Sequence, residues 1–266
     1  MNLFLRPVLL FLLAARTASA ADFATEVVAA TFKLFHPDST ATCFLVRRTA
    51  PDLALYLVTA AHVLERTKGA TAILVLREAK PDGSYVRRDH TIRVRREGKP
   101  LWVRHEKQDV AVLRLVEPPP LAVMPLPVAR LADEAQLTAA GVHLCSALFV
   151  LTYPERFEAN GAGFPVARQG IFASPPLLPV KTHPVFLADF TTFAGDSGGP
   201  VFISGKDEHP LVVGVVLAKH FHEERTKGEL EERIIRHPLG LGSVLHAHYV
   251  RETIEAAAQS DGAGTK

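Results

Sequence analysis

Apolar residues along this chain come in short bursts. In the first half they form "EVVAATFKLF", "TCFLVRR", "LALYLVT", "TAILVLRE", "TIRVRR" and "DVAVLRL". In the second half they form "SALFVLTY", "ARQGIFA", "PVFLADF", "PVFISG" and "LVVGVVLA". Runs of this length, rich in β-branched side chains and bounded by Pro, Gly and charge, predict strands, and many of them predict an all-β sandwich or barrel. Helical spacing is scarce. Near the C-terminus, in "HAHYVRETIEAAAQ", Val250, Ile254 and Ala257 recur with the period that lines one face of a helix.

The proline-rich stretch "VEPPPLAVMPLPVAR" divides the pattern, because proline cannot donate to a sheet ladder and holds the chain extended. The expected organisation is a strand-rich unit over residues 21–116, a linker over 117–130, a second strand-rich unit over 131–247, and a helix with a frayed tail over 248–266. The first twenty residues are different in kind. "MNLFLRPVLLFLLAARTASA" has an early Arg, an apolar run too short to cross a bilayer, and an Ala-Ser-Ala end, the pattern of a secretory signal peptide cut after Ala20. The expectation is a secreted or periplasmic protein with no stable membrane insertion after cleavage.

Composition narrows the classes. With 48% hydrophobic residues, 22% charged residues and a net charge of +2, the chain is ordinary globular material, neither disordered nor a nucleic-acid binder. The basic run over 86–107 reads as the solvated face of an edge strand, since "TIRVRR" alternates. The two cysteines, Cys43 and Cys145, allow one bridge or two free thiols, and the apolar strand around Cys43 favours the latter. His220 with His222 and His246 with His248 have spacing that a zinc site can use, but no cysteine accompanies them and no metal is expected.

Three motifs carry chemistry. "VTAAH" ends at His62 after an apolar strand, "HEKQDVAVLRL" places Asp109 just before another, and "FAGDSGGPVF" sets Ser197 among glycines. A serine hydroxyl becomes a nucleophile when an imidazole takes its proton, and the imidazole needs an acceptor on its other nitrogen. The glycines allow the Gly195 and Ser197 amides to converge on one point, an oxyanion hole for the charge that develops on an attacked carbonyl. Trp102 and His105 read as residues that position the Asp109 loop.

These motifs, in the order His, Asp, Ser, resemble those of the trypsin-like (chymotrypsin-fold) serine proteases of the bacterial secreted kind. The resemblance implies two antiparallel β-barrels with a C-terminal helix and an active site in the cleft between them. It implies Ser197 as nucleophile, His62 as general base and then acid, Asp109 as orienting carboxylate, a protein or peptide substrate, and no cofactor. It also implies a primary pocket with Thr191 at its base and Leu217, Ala218 and Lys219 along its wall, which disfavours cutting after Lys or Arg. The charged segment over 219–240 is expected to reshape or cover that pocket. Asp196 is present, but the chain has no Ile-Val-Gly-Gly start to pair with it, so activation by a new amino terminus is not expected. Two alternatives remain: a catalytically silent binding module on the same fold, and an esterase built on the G-x-S-x-G reading of residues 195–199. The esterase reading needs a helix directly after the serine, where Gly198-Gly199-Pro200 stands instead. The oligomeric state is not legible.

Overall fold

The computed structural model describes residues 23–49, 52–227 and 231–263; the predicted signal peptide lies outside them. The first segment read as strand is divided. Helix α1 (Phe23–Ala30) runs directly into β1 (Thr31–Phe35), and the Thr31 hydroxyl donates to the Val27 carbonyl across the junction. An Ala-rich run favours the helix, and the switch comes at β-branched Thr31.

The chain then builds β2 (Ala41–Arg47), β3 (Leu55–Thr59), α2 (Ala61–Arg66), β4 (Thr71–Ala79) and β5 (Tyr85–Arg93). A two-residue ribbon of β6 (Arg95–Arg96) and β7 (Lys99–Pro100) follows, then β8 (Trp102–Arg104), β9 (Ala111–Arg114) and β10 (Leu126–Pro127). The first sheet runs in the order β5-β4-β1-β2-β3-β9-β8. β5 is its edge and carries the basic run with most side chains exposed. β10, from the proline-rich stretch, lies parallel to β2 at Val46 and Arg47, where the pairing of β1 with β2 has ended.

Alternation in the central strands explains how this sheet is buried on both faces. In β2 and β3, Cys43, Leu45, Leu55 and Leu57 pack into one apolar cluster, while Phe44, Val46, Tyr56 and Val58 pack into the other. Burying one such side chain stabilises the fold by about 1.5–3 kcal/mol.

The second half begins with a helix that the apolar pattern did not predict, α3 (Glu134–Ala140). Asp133 and Gln136 form a reciprocal capping box at its start, and Gly141 ends it in a left-handed conformation. Six strands follow: β11 (Ala147–Thr152), β12 (Val166–Phe172), β13 (Val185–Asp189), β14 (Pro200–Ser204), β15 (Pro210–Lys227) and β16 (Glu232–His246). They close into a barrel in the order β11-β12-β13-β16-β15-β14. A closed six-stranded barrel beside a second sheet agrees with the double-barrel expectation. The C-terminal helix is present as α4 (His248–Ala263), with Val250, Ile254 and Ala257 buried as its spacing predicts. These residues pack into the cluster that also holds Val110 and Val112 of the first sheet and the core of the barrel, so α4 ties the halves together.

Cys43 is buried and Cys145 exposed, and both thiols are free. No helix among the described residues is long and apolar enough to cross a membrane. Within the charged segment over 219–240, β15 and β16 continue past the barrel as an arm paired out to Lys227 and Glu232.

Candidate active site

A cleft of about 830 Å³ brings His62, Asp109, Gly195 and Ser197 together. Its walls come from both halves of the chain. β3 delivers the chain to Ala60, and His62 is the second residue of α2. Ala60 offers no side-chain cap, so the first amides of that short helix need another acceptor. Asp109 provides it: Oδ1 accepts from the His62 amide at 2.9 Å, and Oδ2 lies 2.6 Å from His62 Nδ1. A carboxylate only accepts, so Nδ1 carries a ring proton and donates to Asp109. Burial by itself raises the Asp109 carboxyl, but hydrogen bonds from the His62 ring and amide, with the nearby charges of His62 and Arg104, outweigh it and hold the group below its usual range.

The turn that presents Asp109 joins β8 to β9. His105 organises it. Its Nδ1 accepts from the Lys107 and Gln108 amides, each at 3.1 Å, and its Nε2 meets Glu252 of α4 at 3.1 Å. Its own amide donates to the Val110 carbonyl at 2.9 Å, closing the turn.

The loop that carries Ser197 is held from several sides. Gly195 and Gly198 have φ of 98° and 87°, values that L side chains rarely adopt. A Cβ on Gly195 would strike the Tyr153 carbonyl, and one on Gly198 would strike the Thr59 hydroxyl and the Thr42 carbonyl. Thr42 pins the loop to the first sheet: its hydroxyl donates to the Gly195 carbonyl at 2.8 Å and its amide to the Ser197 carbonyl at 3.1 Å. The Ala194 carbonyl accepts from the Glu155 amide at 2.6 Å, and the Asp196 carbonyl from the Gly199 amide at 3.0 Å. In a trans peptide the N–H points opposite to the C=O, so these two bonds fix the directions of the Gly195 and Ser197 amides. Neither amide has an intramolecular acceptor among the described residues. The Glu155 carboxylate also accepts from the Ala194 amide at 3.1 Å. The Ser197 hydroxyl donates to the Leu217 carbonyl at 3.0 Å.

The cation that meets Asp196 is Arg168 of β12. Its guanidinium lies 2.7 Å from Asp196 Oδ2, which also accepts from the Phe193 amide at 2.8 Å. Arg168 donates as well to the Thr152 hydroxyl and the Thr191 carbonyl, and lies over the rings of Phe190 and Phe193. The Asp196 side chain is only 1% exposed, so this pair is buried at the base of the nucleophile loop.

Of the residues expected in the primary pocket, Leu217 and Ala218 line the cleft, whereas Thr191 is exposed and does not. Its neighbour Thr192 is buried, lines the cleft and donates to the Leu241 carbonyl. The Lys219 side chain is not among those described. Gly242, on the strand paired with β13, faces Thr192 and the Phe190 ring, and a side chain there would collide with Thr192. Sequence patterns also missed Arg168, Thr42, Glu155 and Phe221, the last of which reaches the cleft from the arm. The histidine pairs serve elsewhere. His220 bonds the Ser243 hydroxyl at 2.7 Å, His222 stacks on His237 across the arm, and His246 is buried against Phe186.

The sequence profile of the trypsin-like peptidase domain matches residues 41–215, more than half of the chain. No curated protein sequence matches it. Among solved structures, Rv3671c from M. tuberculosis H37Rv, a serine-to-alanine mutant in an inactive form, is 18% identical. The alignment covers 89% of this chain and 90% of that one at a TM-score of 0.46. The Rv3671c protease in its inactive form is 19% identical, with coverage of 88% and 92% and a TM-score of 0.47.

Proposed function

The chain belongs to the trypsin-like peptidase family and is a serine protease; from that premise we propose that it is an endopeptidase working through an acyl-enzyme on Ser197. In this reading the Ser197 hydroxyl leaves the Leu217 carbonyl for His62 Nε2, which takes its proton as the oxygen attacks the substrate carbonyl. Asp109 holds the ring in the required tautomer and stabilises the imidazolium. The amides of Gly195 and Ser197 donate to the oxyanion, and their directions are set before substrate arrives, which is what makes such donors effective. His62 then gives the proton to the leaving amine, and water repeats the sequence to release the acyl group.

The observation that carries the reading is the pair of hydrogen bonds from Asp109 to the ring and amide of His62, in the same cleft as Ser197. Substrates are peptides. Preference goes to small or medium apolar side chains over Lys and Arg, supported by Thr192, Leu217 and Ala218 in the cleft lining. Two barrel domains, the first supplying His62 and Asp109 and the second Ser197, and export guided by the first twenty residues complete the proposal. Digesting a peptide library and mapping the cuts by mass spectrometry tests it: wild-type protein yields cuts after small apolar residues, and Ser197→Ala yields none. Equal cutting by both would overturn the assignment of Ser197.

A further inference from the structure

Glu155 and Arg156 are the one consecutive pair of non-glycine residues with positive φ among the described residues, at 47° and 68°. Such a conformation costs free energy and persists only where the surroundings hold it, which is why it gathers at functional sites. Here the surroundings reach far from the cleft. Tyr153, just ahead of the pair, is fixed at both ends: its amide donates to the Thr42 hydroxyl at 3.1 Å and its hydroxyl to the Gly163 carbonyl at 2.9 Å. On the other side stands Lys33 of β1, its side chain 9% exposed. Its ammonium donates to the Arg156 carbonyl and to the Glu158 carboxylate, each at 2.7 Å. Arg87 of β5 meets the same Glu158 oxygen at 2.7 Å. An ammonium is a compact charge with three donors, so one buried lysine can satisfy a backbone carbonyl and a carboxylate together.

What this turn holds is the backbone beside Gly195. Glu155 touches Ala194 twice: its amide donates to the Ala194 carbonyl at 2.6 Å, and its carboxylate accepts from the Ala194 amide at 3.1 Å. The two contacts fix the peptide units on both sides of the Ala194 Cα. Rotating the unit between Ala194 and Gly195 would turn the Gly195 N–H away and put the Ala194 carbonyl in its place. Glycine permits such rotation, so the resistance has to come from Glu155.

We propose that Lys33 and Glu155 are positioning residues for peptide hydrolysis: they hold the turn over 153–158 in its left-handed form, and the turn keeps the Gly195 amide aimed at the oxyanion. The inference rests on Ser197 being the nucleophile and Gly195 an oxyanion donor. Glu155 acts through Ala194. Lys33 is not among the residues lining the cleft and acts through Arg156 and Glu158. A misaimed donor weakens binding of the transition state and leaves binding of the ground state alone, so the effect belongs in kcat rather than KM.

Three variants test this on a fluorogenic peptide. Glu155→Met keeps the length of the side chain and removes its acceptor, Glu155→Gln keeps a carbonyl acceptor, and Lys33→Met removes both donations while leaving Glu158 with Arg87. Glu155→Met and Lys33→Met should each lower kcat about tenfold with KM within about twofold, a smaller loss than that of an oxyanion donor itself. Glu155→Gln should return kcat to within about threefold of wild type. Affinity for a peptide boronate, whose tetrahedral adduct places an oxygen at the oxyanion position, should fall by the same factor as kcat/KM. Affinity for the cleavage product should not change. Glu155 is exposed, so its two variants carry the test even if Lys33→Met fails to fold. Unchanged kcat in Glu155→Met, or a loss matched by weaker product binding, would overturn the proposal and leave the active-site assignment intact. Wild-type protein that cuts no peptide, or whose turnover survives Ser197→Ala, would instead overturn that assignment and this inference with it.

Discussion

β15 is one strand with two environments. From Leu211 to Val216 it is buried, shares its backbone with β14 and β16, and supports the nucleophile loop through hydrogen bonds between Gly198 or Gly199 and Val216. From Phe221 to Lys227 it is mostly exposed and shares its backbone with β16 alone. The buried half is where atoms must be placed to within a fraction of an ångström, and every neighbour constrains it. The exposed half is paired with β16 on one side and is held by fewer strands among the described residues. Tight and loose constraint are here properties of successive stretches of the same strand.

The largest effect expected on the buried side is chemical. Ser197→Ala should lower kcat for peptide hydrolysis roughly 10⁴- to 10⁶-fold, the loss typical when a triad acts as a unit, while far-UV circular dichroism stays unchanged. Arg168→Met comes next. It leaves the Asp196 carboxylate buried without its counter-charge, so chemical denaturation should show a loss of about 3–5 kcal/mol, and Arg168→Met with Asp196→Asn should recover part of it. Activity should fall along with stability, since Asp196 braces the loop that carries the proposed oxyanion donors Gly195 and Ser197.

His246 gives a pH-dependent contrast. Burial pushes this ring down to about 4, so between about pH 6.5 and 4 the unfolded chain binds a proton that the folded protein refuses. Stability should therefore be full above that window and fall by about 3 kcal/mol as the pH drops through it. His246→Phe should remove this contribution, and denaturation midpoints measured across the window would show wild type and variant with different slopes. The smallest effects separate the halves of β15 directly. Val212→Ala in the buried half should cost about 2 kcal/mol, and Arg225→Ala in the arm should stay within about 0.5 kcal/mol. Equal losses at the two positions would mean that the arm is packed against something in solution.

What was legible in sequence follows the same division. His62, Asp109 and Ser197 stood out because their chemistry demands fixed residue types beside fixed neighbours, and such motifs survive any detail of packing. The strands were legible because short apolar runs bounded by Pro, Gly and charge mark strands buried on both faces, as the unbroken run Cys43 to Val46 shows. The N-terminal "EVVAATFKLF" was misread because a short apolar run has no decisive period, and only the side-chain bond from Thr31 to Val27 marks the change. The capping residues Asp133, Gln136 and Gly141 were visible but outside the apolar pattern. Arg168 was hidden for a different reason. In "VARQGIF" it reads as an outward-facing strand residue, and only closure of the barrel brings it to Asp196. The resemblance implies Thr191 at the pocket base, but the loop turns so that the buried Thr192 lines the cleft and Thr191 is exposed.

The most direct test of the central claim is intact-mass spectrometry after exposure to a fluorophosphonate, with Ser197→Ala and His62→Ala beside the wild-type protein. The account predicts one adduct per wild-type molecule, mapping to Ser197, and none on either variant. A folded wild-type protein that takes up no adduct, or an adduct that persists in Ser197→Ala, would contradict it.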